Sequence, residues 1–466
     1  MFDWEDDAQE NEFQSELERF EKQLQEDTVG FYDAEQIEHF IDYFLSMGDF
    51  TRAEQTAEVG IRLYSFNALF FLRKAQALSA IGSLKQALMA LSEAEKLDHK
   101  SAEILSTKAT IFSQMHDSKR AINLFTRALE FSTEEEANEI YNDLISEYIN
   151  LREFEKAIKY IQLLLRENPK NEVLIYELAF CYERLEKLEE AKKVYLDFLE
   201  EYPMSFTAWY NLGNTYSKSD EHELALEAYE FCLTINARFT PAAFNKGNAE
   251  LNLEKYDDAV NSFTYCLQND GDDAMTLCYL GEAYEQLEQL DESWSYYQKA
   301  LSINPDLSEA WLGLGIVKDL QGKPKECLHY IERAIEIDPH MDGYFHVYAG
   351  ALENAEMLPE AEEAYLACLT LNSENEDCFY DYVSYLFEHN TTAVSKFILD
   401  YDEKYKYFFS RVAVVYLFWT QGHIDIAVQA YKMLLEQDVE EAKELFIRFP
   451  ELKTVEDFVN LTPKTE

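Results

Sequence analysis

Residues 206–239 read FTAWYNLGNTYSKSDEHELALEAYEFCLTINARF, and the fold follows from this stretch. Leu212 and Tyr216, then Leu224, Leu226, Tyr229 and Leu233, fall at the three-to-four-residue spacing of helices. The pattern returns every 34 residues. Gly213, Gly247, Gly281 and Gly315 form one ladder; Ala157, Ala191, Ala225 and Ala259 form a second, which Ser293, Cys327 and Ala361 continue. Tyr195, Tyr229, Phe263 and Tyr297 form a third, and Pro169, Pro203, Pro305 and Pro339 a fourth. Two helices of a hairpin approach closely only where side chains are small, so Gly213 is expected to face Ala225. Trp209, Tyr216 and Tyr229 would fill the space around that contact. Pro305 and Pro339 are expected just beyond helix ends, where a missing N–H is harmless. No single hairpin buries its apolar face, so neighbours must stack.

These positions resemble the tetratricopeptide repeat, a 34-residue helix–turn–helix unit. Trp209, Leu212, Gly213, Tyr216, Ala225 and Tyr229 carry the pattern, with Cys232 at the second small position. Trp311, Leu314, Gly315, Ala334 and Pro339 repeat it, as do Leu280, Gly281, Tyr284, Tyr297, Ala300 and Pro305. The resemblance implies an all-α, right-handed α-solenoid of about twelve helix-turn-helix repeats in one continuous array. Counting in phase gives ten regular units over residues 34–375, starting at 34, 68, 102, 138, 172, 206, 240, 274, 308 and 342. Two extra residues in the third unit are expected within Thr133–Glu136. Two degenerate units follow over 376–440, then a closing helix and tail over 441–466.

Residues 1–33 are strongly acidic, and Phe13, Leu17, Phe20 and Leu24 recur at helical spacing. They read as an amphipathic cap on the first repeat, or as a partner-binding arm using Phe2 and Trp4. The apolar run Phe408–Trp419 reads as a buried helix of the last unit or an oligomer interface.

The chain has 466 residues with 40 Lys+Arg against 90 Asp+Glu, a formal net charge of −50. That charge repels phosphate backbones and anionic lipid, which disfavours nucleic-acid and membrane-surface partners. With 47% hydrophobic residues the chain has ample material for a core, yet no apolar run approaches the ~20 residues that span a bilayer. The opening MFDWEDDAQE lacks the features of a signal peptide. Seven cysteines without a C-x-x-C pair point to a reducing cytoplasm rather than a disulfide framework.

Catalytic signatures are missing: there is no phosphate-binding glycine loop, no H-E-x-x-H and no G-x-S-x-G. His340 and His346 have no third partner at ligand spacing, so neither a metal nor a cofactor is expected. Cys232, Cys266, Cys327 and Cys368 occupy small apolar positions of the repeat and read as core. The expected function is therefore a non-enzymatic interaction scaffold. The rival is a structural solenoid that self-associates through its C-terminal repeats with its groove empty.

The resemblance also implies which residues line the groove of the first helices. Those positions hold Glu35, Glu38, Asp42, Glu103, Glu139, Asp143, Glu177, Glu282 and Glu309 against one base, Arg73. A basic or neutral peptide segment of a partner protein is the expected ligand. Asn211 and Asn214 in one unit, and Asn245 and Asn248 in the next, are candidates to pair with its backbone, since an amide both donates and accepts. Tyr176, Tyr210, Phe244 and Tyr279 would flank them as aromatic walls. The chaperone-tail version of such a groove also needs Lys and Arg nearby. Tyr210, Phe244, Met275 and Tyr279 stand there instead.

Overall fold

A computed structural model describes residues 4–26, 28–455, 458 and 461. Helices and tight turns account for the chain, with no strand among the described residues. No helix among them is long and apolar enough to cross a membrane. Phe2 lies outside the described residues, as does the side chain of Trp4.

The chain divides into two compact units, residues 1–221 and 222–466. The division falls inside the stretch that best displays the repeat, at the turn between helices Phe206–Lys218 and His222–Ile235. Each unit is a stack of helix pairs. Within each unit, from Ala34–Ser46 and from His222–Ile235 onward, each helix packs on the next, and several successive first helices also touch.

A regular pair is built from a 13-residue first helix and a 14-residue second helix, as in Ala68–Ala80 with Leu84–Leu97. Polar side chains open most first helices, whereas Phe239, Leu307 and Met341 stand at that position without a side-chain cap. Asp33 forms a reciprocal cap with Gln36, and Ser101, Asn171, Ser205 and Asp273 accept from first-turn N–H groups. Pro169, Pro203, Pro305 and Pro339 stand two residues beyond the second helices, as expected. The carbonyls of Pro203 and Pro305 accept the indole N–H of Trp209 (2.9 Å) and Trp311 (2.8 Å), which ties each unit's Trp to the preceding Pro.

The turn inside each pair carries a left-handed residue: Gly48, Gly82, His116, Arg152, Glu186, Asp220, Glu254, Glu288, Gly322 and Glu356, with φ between 58 and 80°. They step by 34 except for 36 between His116 and Arg152, where the two extra residues are absorbed. The slack does not form a loop. Helix Ser118–Ala128 has 11 residues, helix Glu134–Asn150 has 17, and Thr133 caps the latter through Glu136. In the first degenerate pair the turn shrinks to Asn390 alone, between Glu376–His389 and Thr391–Tyr405.

The glycine ladder does something other than expected. A Cβ on Gly247 would meet the Phe263 ring at 2.7 Å, and one on Gly281 the Tyr297 ring at 2.9 Å. At Gly315 the nearest group is Ile331, at 2.5 Å, with the Cys327 carbonyl farther off at 3.4 Å. The glycine seats the large residue of the next helix, and the small-residue ladder is fully buried as well. Gly213 and Ala225 fall in different units. Tyr297 is held from two sides, because a Cβ on Gly313 would also strike its ring.

At the ends, helix Trp4–Gln25 buries Leu17 and Phe20, the latter stacked on Phe40 at 4.8 Å. Helix Phe408–Thr420 buries Val412, Ala413, Val415 and Leu417, and its Tyr416 stacks on Phe449 at 3.7 Å.

Candidate functional site

In the first unit the acidic first-helix positions form two neighbourhoods. Arg73 reaches across three successive first helices, with Nε 3.1 Å from Asp42, Nη1 2.6 Å from Glu103 and Nη2 3.9 Å from Glu38. The one base expected in this groove is therefore already claimed. Farther along, Glu139 and Asp143 lie on helix Glu134–Asn150 and Glu177 on helix Glu172–Arg184. Asp143 is open to solvent yet crowded by the helices around it. That desolvation, with like charge from Glu147 and Glu139, pushes its carboxyl up to about 6. Burial raises Glu177 in the same sense, and pushes the buried Cys181 thiol up to about 11.

Tyr176 is half-buried and internally committed, its hydroxyl donating to Thr207 and lying 3.0 Å from Glu172. Asn211, Asn214 and Tyr210 share helix Phe206–Lys218 and are half-buried.

In the second unit, Phe244, Asn245 and Asn248 lie on helix Thr240–Asn252 and Tyr279 on helix Ala274–Gln286. Phe244 and Tyr279 come together edge to face, 5.4 Å between centroids, and both rest on the buried Phe263 at 5.7 and 5.8 Å. Asn245 and Asn248 are half-buried rather than turned fully to water. The Oδ1 of Asn248 is sealed from solvent and has no hydrogen-bond partner. An orphaned buried acceptor is costly and uncommon. The four amides thus divide two and two between the units, each pair three residues apart on one helix. All seven cysteines are buried and free of disulfides, among them Cys232, Cys266, Cys327 and Cys368 at small positions of the repeat.

Sequence reasoning missed a set of carboxylates inside the helix pairs. Glu285, 8% exposed, accepts from the Tyr297 hydroxyl at 2.9 Å, and Glu353 accepts from that of Tyr365 at 3.0 Å. Burial pushes Glu285 up to about 7, with the Tyr297 hydroxyl pulling down and Glu282 adding a smaller push upward. The signal was present: each carboxylate stands twelve residues before the ladder tyrosine it serves. Where the ladder holds Phe263, which has no hydroxyl to satisfy, the twelfth residue back is Leu251. Glu147, 3% exposed, is a further buried carboxylate; one oxygen takes the Ser113 hydroxyl and the other has no partner.

Comparison with known proteins follows the same axis. No curated protein sequence matches the chain. Among solved structures, a tetratricopeptide repeat protein from Parabacteroides merdae is 18% identical, the alignment covering 52% of this chain and 95% of that one, with a TM-score of 0.47. The hetero-tetramer Cut9–Hcn1 of the APC/C is 12% identical over 86% of this chain and 92% of that one, with a TM-score of 0.43. YrrB, described as a repeat protein with an unusual peptide-binding site, is 22% identical over 40% and 96%, with a TM-score of 0.31. All three scores lie below 0.5, so the assignment rests on sequence. Residues 173–205, 206–239, 244–308 and 308–341 each match the family described as tetratricopeptide repeat. These matches are in phase with the helix pairs, so residues 173–341 are made of tetratricopeptide repeats.

Proposed function

We propose that the chain is a non-enzymatic scaffold that holds extended peptide segments of partner proteins against its first helices. The observation that carries this reading is the Phe244–Tyr279 pair beside Asn248, whose buried Oδ1 lacks a donor. A backbone N–H of a docked peptide supplies that donor, and the two rings offer an apolar wall for its side chains. Asn211 and Asn214, with Tyr210 and Tyr176, form the corresponding set in the first unit. Carboxylates at Glu139, Asp143, Glu177, Glu282 and Glu309 favour ligands that bear Lys or Arg, or are at least not acidic. Such a scaffold acts where its partners are, and the thiol-rich, disulfide-free chain suits the reducing cytoplasm.

The test is a peptide from a captured partner, titrated against wild type and Asn245→Ala/Asn248→Ala at low and high salt. Each lost amide hydrogen bond removes roughly 0.5–1.5 kcal/mol, so the double variant should bind about tenfold more weakly. Wild-type affinity should fall as salt rises. Equal affinities for the two proteins would remove the amide site, and salt-independent binding would remove the basic ligand. The self-association reading draws on Ile426 (49% exposed) and Met433 (61%) of helix Ile424–Gln437. Under that reading, sedimentation shows concentration-dependent oligomers that disappear when residues 408–466 are deleted.

A further inference from the structure

Among the described residues, a group of metal-ligating side chains lies away from these amides, at the step from regular to degenerate repeats in the second unit. Glu353 is on helix Asp342–Asn354; Glu388 and His389 end helix Glu376–His389. One donor atom from each lies within 4.8 Å of the others. His389 Nε2 is 3.4 Å from Glu353 Oε1 and 3.9 Å from Glu388 Oε2. Two donors bound tetrahedrally at 2.0–2.1 Å from one ion lie about 3.4 Å apart, so this spacing fits a shared cation with small adjustments.

The surroundings hold two of the donors, Glu353 and His389, while Glu388 is exposed. The second oxygen of Glu353 takes the hydroxyl of Tyr365, which is 3% exposed, and this leaves Oε1 turned to the histidine. Such an outer hydrogen bond is a recurrent feature of metal-ligating carboxylates. The Tyr385 ring packs 4.9 Å from the imidazole and limits its rotation. The same two helices carry a second contact, His346 with Asp381 at 2.7 Å, which is a direct hydrogen bond with no third donor. It serves as an internal contrast.

We propose that Glu353, Glu388 and His389 bind a borderline divalent cation of the zinc class. One imidazole and two carboxylates suit zinc and its neighbours, whereas calcium and magnesium call for more oxygen ligands. The fourth position is open to water or to a side chain from a partner. The bound ion ties the first helices of two successive repeats together. Ligands 36 residues apart in sequence gave no motif to find.

The experiment titrates zinc chloride into the chelator-treated full chain by calorimetry and repeats it with cobalt(II), whose absorption reports coordination. A saturable one-site event is expected, with a rise in the thermal midpoint. His389→Ala and the isosteric Glu353→Gln should each weaken binding at least tenfold, Tyr365→Phe should weaken it less, and His346→Ala should leave it unchanged. Helical content, checked by circular dichroism, should match wild type in all four variants. Absence of saturable binding below millimolar zinc overturns the proposal. So does equal affinity in wild type and His389→Ala, or a loss that follows His346→Ala instead.

Discussion

Replacing Glu285 with Gln isolates the energetic effect of a buried charge. The carboxyl is 8% exposed and its pKa stands at about 7 against an ordinary 4.5, chiefly through burial. A tenfold change in acidity is worth about 1.4 kcal/mol, so ionising Glu285 in the folded chain costs about 3 kcal/mol more than in the unfolded one. The folded pKa is the raised one. The stability associated with the bound proton is therefore fully present below about 4.5 and is lost as pH rises through about 7. Glu285→Gln keeps an acceptor for the Tyr297 hydroxyl and has no charge to bury. Wild type and variant should be equally stable near pH 4.5, and the variant should be about 3 kcal/mol more stable at pH 8. Urea unfolding followed by circular dichroism at a series of pH values measures this difference. Amide exchange over helices Ala274–Gln286 and Leu290–Ile303 localises it, since a repeat array need not unfold as one body. Parallel pH profiles for the two proteins would refute the reasoning, as would a variant less stable at pH 8.

Two glycine substitutions of the same kind should have opposite signs. Gly281→Ala drives a methyl group into the Tyr297 ring and should cost about 1–3 kcal/mol, whereas Gly350→Ala meets nothing within 4 Å on helix Asp342–Asn354 and should stabilise by about 0.5–1 kcal/mol. Shifts of the urea midpoint in the same direction for both would contradict the contact geometry. Phe20→Ala should cost about 3–5 kcal/mol locally, because the ring is fully buried on Phe40. Faster amide exchange confined to the first helix pairs is the expected signature, and uniform acceleration along the chain is the contrary one. Glu254→Gly relieves a left-handed turn residue and should gain up to about 1 kcal/mol, read from the same urea midpoint.

Much of this architecture could be read from sequence because identical packing problems recur at a fixed interval. Trp209, Gly247, Ala259 and Pro305 are each one instance of a constraint met many times. The turn residues were not legible, because glycine occupies few of them. Glu186, Glu254 and Glu288 adopt the left-handed conformation under the pull of the helices they join, and nothing in their chemistry announces it. The two-residue slip falls between the turns at His116 and Arg152, and its conversion into a longer helix capped by Thr133 and Glu136 was not legible in the sequence. The amides were found by position alone. Their half-burial, and the sealed Oδ1 of Asn248, depend on neighbours that a linear pattern does not weigh. Glu285 and Glu353 were overlooked because acids are so abundant that a single one carries no information. Only pairing each with the tyrosine twelve residues on singles it out.

Under the proposed function, Arg73 bears on how the acidic first-helix positions of the first unit would meet a cationic ligand. Its guanidinium already sits among Glu38, Asp42 and Glu103, as a visiting arginine would. Being tethered, it presents itself at an effective concentration on the order of millimolar or above, so a weakly held Lys or Arg from outside is outcompeted there. Glu139, Asp143 and Glu177 form no ion pair among the described residues, and they have no such resident competitor. Under the proposed function, Arg73 would be a built-in antagonist for one part of the acidic surface, and Glu139, Asp143 and Glu177 would be the part left for a ligand. Deleting the antagonist by Arg73→Ala should produce a gain of binding for a lysine-rich peptide, with the additional capture mapping to helices Ala34–Ser46 and Ala102–Gln114.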